Sequence, residues 1–279
     1  MHPSGVATPQ VAAFIPRERA RAWARRVVGK RVGRFAIART AAEFSRSFRT
    51  DLVDTALVDV VGAEADDDVA ALALEYPTVA FVGLTTLRPA DAPGLARCVR
   101  LELADVLVEG VDDVAAPDLI ARHGYSARFA AALHTPPSAL ALASALQLAA
   151  WRYIVAGGGR PIRTSTLAAA LGLTREHLSR SFGSGGTPTL KRLIDLVRLL
   201  SAAELAKNPG YDVADVARVL KFSSSAHLSL TAQRVIGRRA TSLAAMRGVD
   251  IVERFVQEQQ ASLPATPAER PADRPVGRR

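Results

Sequence analysis

Two stretches, fifty residues apart, restrict this chain more than anything else in it: LAAALGLTREHLSRSF (167–182) and VARVLKFSSSAHLSLTAQR (216–234). In the first, Ala168 is a small residue where two short helices cross. Gly172, four residues on, suits a turn that needs a left-handed backbone. Thr174 is placed to cap the next helix. Leu178 and Phe182 face inward, which leaves Arg175, Glu176, Ser179 and Arg180 facing out. In the second stretch Ala217 takes the place of Ala168, and HLS at 227–229 repeats HLS at 177–179 after a turn one residue longer. One helical hairpin of this kind is common; two in one chain joined by a helix are not. The joining stretch TPTLKRLIDLVRLLSAAELAKN (187–208) offers Thr187 as N-cap and Pro188 at the first helical position. Leu190, Leu193, Ile194, Val197 and Leu200 recur along it at helical spacing.

Charge is divided along the chain. Residues 1–34 carry eight Lys/Arg against one acid, residues 35–150 carry eight against sixteen, and residues 151–260 carry sixteen against eight. A basic C-terminal half behind an acidic middle suits a polyanionic partner, although each half solvated by its own charges gives the same pattern. A joining helix of 22 residues rises about 30 Å, close to the roughly 34 Å turn of B-DNA. Two such units could therefore address successive major grooves on one face of double-stranded DNA.

Pattern changes set the organisation. Residues 1–31 read as a basic lead-in, helical over RERARAWARRVVGKR (17–31). From 32 to 125, runs of strand length alternate with helical segments: RFAIA (34–38), TALVDVV (55–61), TVAFVGL (78–84) and ADVLVEG (104–110). That alternation predicts an α/β domain, a parallel sheet covered by helices. Residues 126–156 read as linker helices, with ALALASALQLAAWRYIVA (139–156) as one long apolar helix. Residues 157–260 read as an all-α domain holding both helix-turn-helix units, introduced by a flexible AGGGRPIRTS (156–165). The Pro- and Arg-rich 261–279 lacks material for a core and is expected to be disordered. No apolar run approaches the roughly 20 residues of a membrane span. MHPSGVATPQ lacks the basic and apolar segments of a secretory leader. Lone Cys98 allows no intramolecular disulfide. A cytoplasmic location is expected.

Residues 139–247 resemble the DNA-binding region of AraC-type transcriptional regulators. The likeness is carried by LAAALGLTREHLSRSF, LVRLLSAAELA (196–206), and DVADVARVLKF (212–222) with HLS after it. The resemblance implies that the second helix of each unit is the recognition helix. Base-facing positions then fall on Glu176, Ser179 and Arg180 in the first unit, and on Ser224, Ser225, His227 and Ser229 in the second; Arg175 falls at a phosphate contact. The second unit departs from the pattern at Lys221, where glycine is usual, at Leu230, where arginine is usual, and at Ala232, where an aromatic is usual. RRATSLAAMR (238–247) lacks the proline of the closing motif. The first unit is expected to carry most of the base readout.

The 55–110 region is similar to strands three to five of a response-regulator receiver. Asp59 then falls at the phosphoacceptor position and Thr85 at the switch hydroxyl. Receiver chemistry needs Mg²⁺ held by carboxylates after the first strand. Taking RFAIA as that strand, Arg39, Thr40 and Ala41 follow it, and Glu109 stands where lysine is expected. The site therefore reads as an inactive pseudo-receiver, with Asp59 as a polar strand-end residue. No metal-ligand cluster, phosphate loop or nucleophile–base arrangement is found, so no enzyme activity, metal or cofactor is expected. The leading reading is a DNA-binding regulator whose pseudo-receiver serves dimerisation or partner binding. A phosphorylation-controlled response regulator, and an interaction protein with vestigial helix-turn-helix units, are the alternatives.

Overall fold

The computed structural model describes residues 8–61, 67–183 and 186–261. Its N-terminal part alternates strand and helix: β1 (Gln10–Phe14), α1 (Glu18–Val27), β2 (Arg34–Ala38), α2 (Ala41–Thr50), β3 (Thr55–Asp59), α3 (Asp67–Glu75), β4 (Ala80–Thr85), α4 (Ala92–Arg100), β5 (Asp105–Val108) and α5 (Ala116–His123). All neighbouring strands are parallel, in the order β2-β1-β3-β4-β5. This is the doubly wound order shared by flavodoxin and receiver proteins. Alternate strand residues feed two cores. Val11, Ala13, Leu57, Val82 and Leu107 pack with Trp23 and Val27 of α1 and Ile120 of α5. Ala12, Phe14, Ala56, Val58 and Phe81 pack on the other side with Phe44 and Phe48 of α2 and Leu72 of α3.

β1 corrects the expectation for residues 1–31. QVAAF is not part of a lead-in but an inner strand, buried along its whole length. The basic helix predicted after it forms as α1, yet it packs on the sheet through Ala20, Trp23, Ala24 and Val27. RFAIA is consequently the second strand, at the sheet edge.

The C-terminal part contains α6 (Tyr125–Ala132), α7 (Ala145–Ala156), α8 (Thr164–Ala170), α9 (Arg175–Arg180), α10 (Leu190–Leu205), α11 (Val213–Val219), α12 (Ser225–Ile236) and α13 (Gly248–Ala261). It holds no strand among the described residues. The long helix expected over 139–156 starts only at Ala145. Ala141 takes a left-handed φ of 51°, and Ser144 caps α7 in a reciprocal pair with Gln147. The joining helix is also shorter than expected. Its N-cap is Thr189, whose hydroxyl accepts from Arg192 N, whereas Thr187 accepts from Gly183 N. α10 has 16 residues and so rises about 24 Å rather than about 30 Å.

The segment read as a flexible lead-in is pinned instead. Arg160 bonds Ser126 Oγ at 2.6 Å and Leu52 O at 3.0 Å, and its guanidinium pairs with buried Asp54 at 2.5 Å. Asp54 also accepts from Gln10 N and Ser126 N, so one carboxylate ties β1, α6 and the junction together. Gly159, at φ 83°, passes so close to Ser201 that a Cβ would lie 2.3 Å from its side chain. The core beneath α2 runs on into Trp151, Leu196 and Tyr211. The two halves thus share one apolar interior. The tail from 262 onward lies outside the described residues.

Candidate nucleic-acid interface

Both units close their turns in the same way. In the first, Leu173 N donates to Ala168 O at 2.9 Å, and Gly172 has φ 69°. In the second, Phe222 N donates to Ala217 O at 2.8 Å, and Lys221 has φ 55°. The predicted correspondence of Ala168 with Ala217 therefore extends to backbone geometry. A left-handed turn survives where glycine is absent, held by the two contacts of Lys221: its Nζ donates to Thr50 O and Asp51 Oδ1, each at 3.0 Å.

Thr174 caps α9, accepting from His177 N. Leu167, Ala168, Leu178 and Phe182 are buried, and Arg175, Glu176, Ser179 and Arg180 are exposed together on the opposite face. Only a 3.4 Å bond from Nε to Glu176 O restrains Arg180. α9 spans 6 residues and α12 spans 12. On α12, Ser225 and His227 are exposed and Ser229 is half-buried. Ser224 is the N-cap, accepting from His227 N at 3.0 Å, the place that Thr174 holds in the first unit, so its hydroxyl is not free to read a base. His227 also pairs with Ser223 Oγ at 2.9 Å and sits edge-on to Phe222. Leu230 lies 70% exposed on the outer face, matching Arg180.

The helix behind the units fixes their backs. Arg198 of α10 stacks 3.7 Å from the centroid of Phe222 and donates to Leu220 O. Burial pulls its guanidinium below the ordinary value, against the opposing charge of Asp195. Asp195 itself binds Arg234 of α12 at 2.7 Å.

At the carboxyl ends of the strands stands a second constellation. Asp59 is fully buried, and the residue facing it is Arg17, just after β1. Its Nε lies 2.8 Å from Asp59 Oδ2 and 3.0 Å from Oδ1, and its Nη2 lies 2.7 Å from Oδ1. The same Nη2 also bonds Glu109. Burial disfavours the Arg17 cation, but the bonds and charges of Asp59 and Glu109 outweigh it and raise its pKa above the ordinary value. The stretch that follows the first strand is thus Pro16-Arg17-Glu18 and not Arg39-Thr40-Ala41. Thr40 instead caps α2, and Ala41 begins it.

Thr85 is taken up by a neighbouring carboxylate. Its hydroxyl donates to buried Asp91 at 3.0 Å, and Asp91 also accepts from Thr86 and Arg88. Burial pushes the Asp91 carboxyl up, but these bonds outweigh it and hold it below the usual range. Among the described residues, no cluster of three or more His, Cys, Asp or Glu is placed to hold a metal, and no helix is long and apolar enough to cross a membrane.

Residues 167–245 match the family model described as a helix-turn-helix domain, of AraC type. Among solved structures, the chain is similar to the signal receiver domain of an HD domain-containing protein from Pseudomonas fluorescens Pf-5. The identity is 17%, the match covers 42% of this chain and 89% of that one, and the TM-score is 0.36. It is also similar to full-length FixJ from B. japonicum at 12% identity, over 81% of this chain and 97% of that one, with a TM-score of 0.38. No curated protein matches the chain. At TM-scores this low, the receiver-like character rests on the strand order alone. Residues 167–245 are thus similar to helix-turn-helix domains, and they follow an α/β domain of receiver-like strand order.

Proposed function

We propose that the chain is a sequence-specific, DNA-binding transcriptional regulator that reads the major groove mainly through α9. The observation that carries this is the pair of equivalent turns, each presenting a capped second helix with a polar outer face. In such units the second helix enters the groove and its N-terminal residues meet base edges. Arg175 positions the unit on a phosphate, and Glu176, Ser179 and Arg180 read bases. In the second unit Ser225, His227 and Ser229 face the bases, with Ser224 capping the helix beside them.

The N-terminal domain acts without phosphorylation of Asp59. A guanidinium already fills the space where a hard cation and a phosphoryl group would sit, and Glu109 adds a charge that repels phosphate. The Thr85 hydroxyl is committed to Asp91. The domain serves dimerisation or partner contact instead, for which exposed Leu87, Val99, Val111 and Val114 supply apolar surface.

Titration of a duplex recovered by binding-site selection, at several salt concentrations, tests the reading. Each phosphate contact contributes about −0.9 to the slope of log K against log salt, so a steep dependence is expected. Asp59→Asn should give the same curve. Salt-independent binding would remove DNA as the partner, and altered binding by a folded Asp59→Asn chain would remove the pseudo-receiver reading.

A further inference from the structure

We infer that the receiver-like domain is itself part of the DNA-binding surface, with Arg34 gripping a backbone phosphate beside the turn of the second unit. This rests on the DNA-binding reading above and adds a residue from outside the helix-turn-helix domain.

Within the second unit every Lys or Arg is already ion-paired. Arg218 binds Asp215 at 2.5 Å, Lys221 binds Asp51 at 3.0 Å, and Arg234 binds Asp195 at 2.7 Å. Arg238 and Arg239 follow the far end of α12, away from its turn. The base-facing side chains Ser225, His227 and Ser229 add no fixed charge. A unit in this state has little of its own with which to hold a phosphodiester strand, yet phosphate contacts set register and supply much of the affinity.

The neighbouring domain supplies what is missing. α2 lies against α11. Arg218 also donates to Arg49 O, and Tyr211 donates to Phe48 O, so the second unit is docked on the α/β domain through its rear. At the edge of that contact a cleft of about 290 Å³ is lined by Arg34, Asp51, Arg160, Val219 and Lys221, among others. Arg160 is neutralised by Asp54 and Lys221 by Asp51. Arg34, on the edge strand β2, is exposed, and its guanidinium donates no hydrogen bond among the described residues. The charge it faces is that of Asp51, a single carboxylate shared with Lys221, so the pair of cations is not fully neutralised. The cleft opens beside Lys221, the turn residue. In a helix-turn-helix the second helix meets the bases through its N-terminal residues while the first helix crosses the backbone. The phosphodiester strand therefore passes close to the start of α12, which follows closely after Lys221. A planar guanidinium there can take two phosphate oxygens at once.

The test uses the full chain with Arg34 replaced by Ala or by Lys. On a mixed-sequence duplex of three helical turns, Arg34→Ala should flatten the slope of log K against log salt by about 0.9 and weaken binding several-fold. Arg34→Lys should restore most of the slope. The loss should be the same on the selected site and on unrelated sequence, because a phosphate contact carries no base information. It should vanish on a duplex trimmed to end at the second half-site. A slope and affinity equal to those of the unaltered chain, with an unchanged melting temperature, would overturn the inference and leave the DNA-binding reading intact. If the unaltered chain binds no duplex, both fall together.

Discussion

Replacing Arg17 by Ala removes one guanidinium from two carboxylates. Asp59 is fully buried, the Glu109 side chain is 9% exposed, and Arg17 itself is 23% exposed. Stripping the partner from a buried ion pair costs about 3–5 kcal/mol, because a desolvated charge is left uncompensated. Water reaching the partly open side of Arg17 reduces this, so about 2–4 kcal/mol is expected at pH 8. The loss should also depend on pH. With the cation gone, two acids share one pocket, and mutual repulsion plus burial raises the folded pKa of one of them above its unfolded value. A raised folded pKa means that the folded state takes up a proton first. The variant should therefore regain stability relative to the unaltered chain as pH falls from 8 toward 5. Urea denaturation at both pH values, followed by circular dichroism, measures this. Arg17→Lys keeps the charge but loses the fork and should fall between the two. Adding Asp59→Asn to Arg17→Ala should recover part of the loss. A loss below about 0.5 kcal/mol, the range of ordinary surface changes, would refute the reasoning. So would a larger loss that does not vary with pH.

Two further outcomes follow from the paired units. Arg180→Ala should weaken specific binding ten- to hundred-fold and relax base preference in one half of the site, because a bidentate guanine contact is worth roughly 1–3 kcal/mol. Leu230→Ala should change affinity far less; selected sequences constrained equally in both halves would contradict this asymmetry. At Lys221, Ala retains the left-handed strain and loses the Asp51 pair, whereas Gly loses the pair and sheds strain of about 1 kcal/mol. Melting curves should therefore rank Lys221→Gly above Lys221→Ala, and the reverse order would show that the turn is not strained.

Sequence alone was enough for whatever depends on neighbours within a few residues. The spacing Ala168, Gly172, Thr174, Leu178 marks a helix, a left-handed turn and a capped helix. The copy at Ala217 is legible even with Lys221 in the turn, because the inward-facing positions repeat. Strands β2 to β5 stand out as branched apolar runs between amphipathic helices. β1 did not, because the short apolar QVAAF runs on into the basic stretch RERARAWARR, whose helical pattern dominated the reading of residues 1–31. Its pairing with β2 and β3 makes it a strand. That one omission displaced the reading of the receiver-like site, since the residues after the first strand decide what faces Asp59. The resemblance placed Ser224 among the base-facing positions, although the fifty-residue repeat aligns it with the cap Thr174. The cap of α10 falls to Thr189, while the Thr187 hydroxyl accepts from Gly183 N across the preceding turn, a contact that spacing does not reveal. Least legible of all were the contacts of Arg17 with Asp59 and Glu109, of Arg160 with Asp54, and of Lys221 with Asp51, separated by 42, 92, 106 and 170 residues. Local pattern fixes which face of an element is apolar. Which distant charges meet depends on strand order and on how the halves dock, and those are set only when the shared core forms.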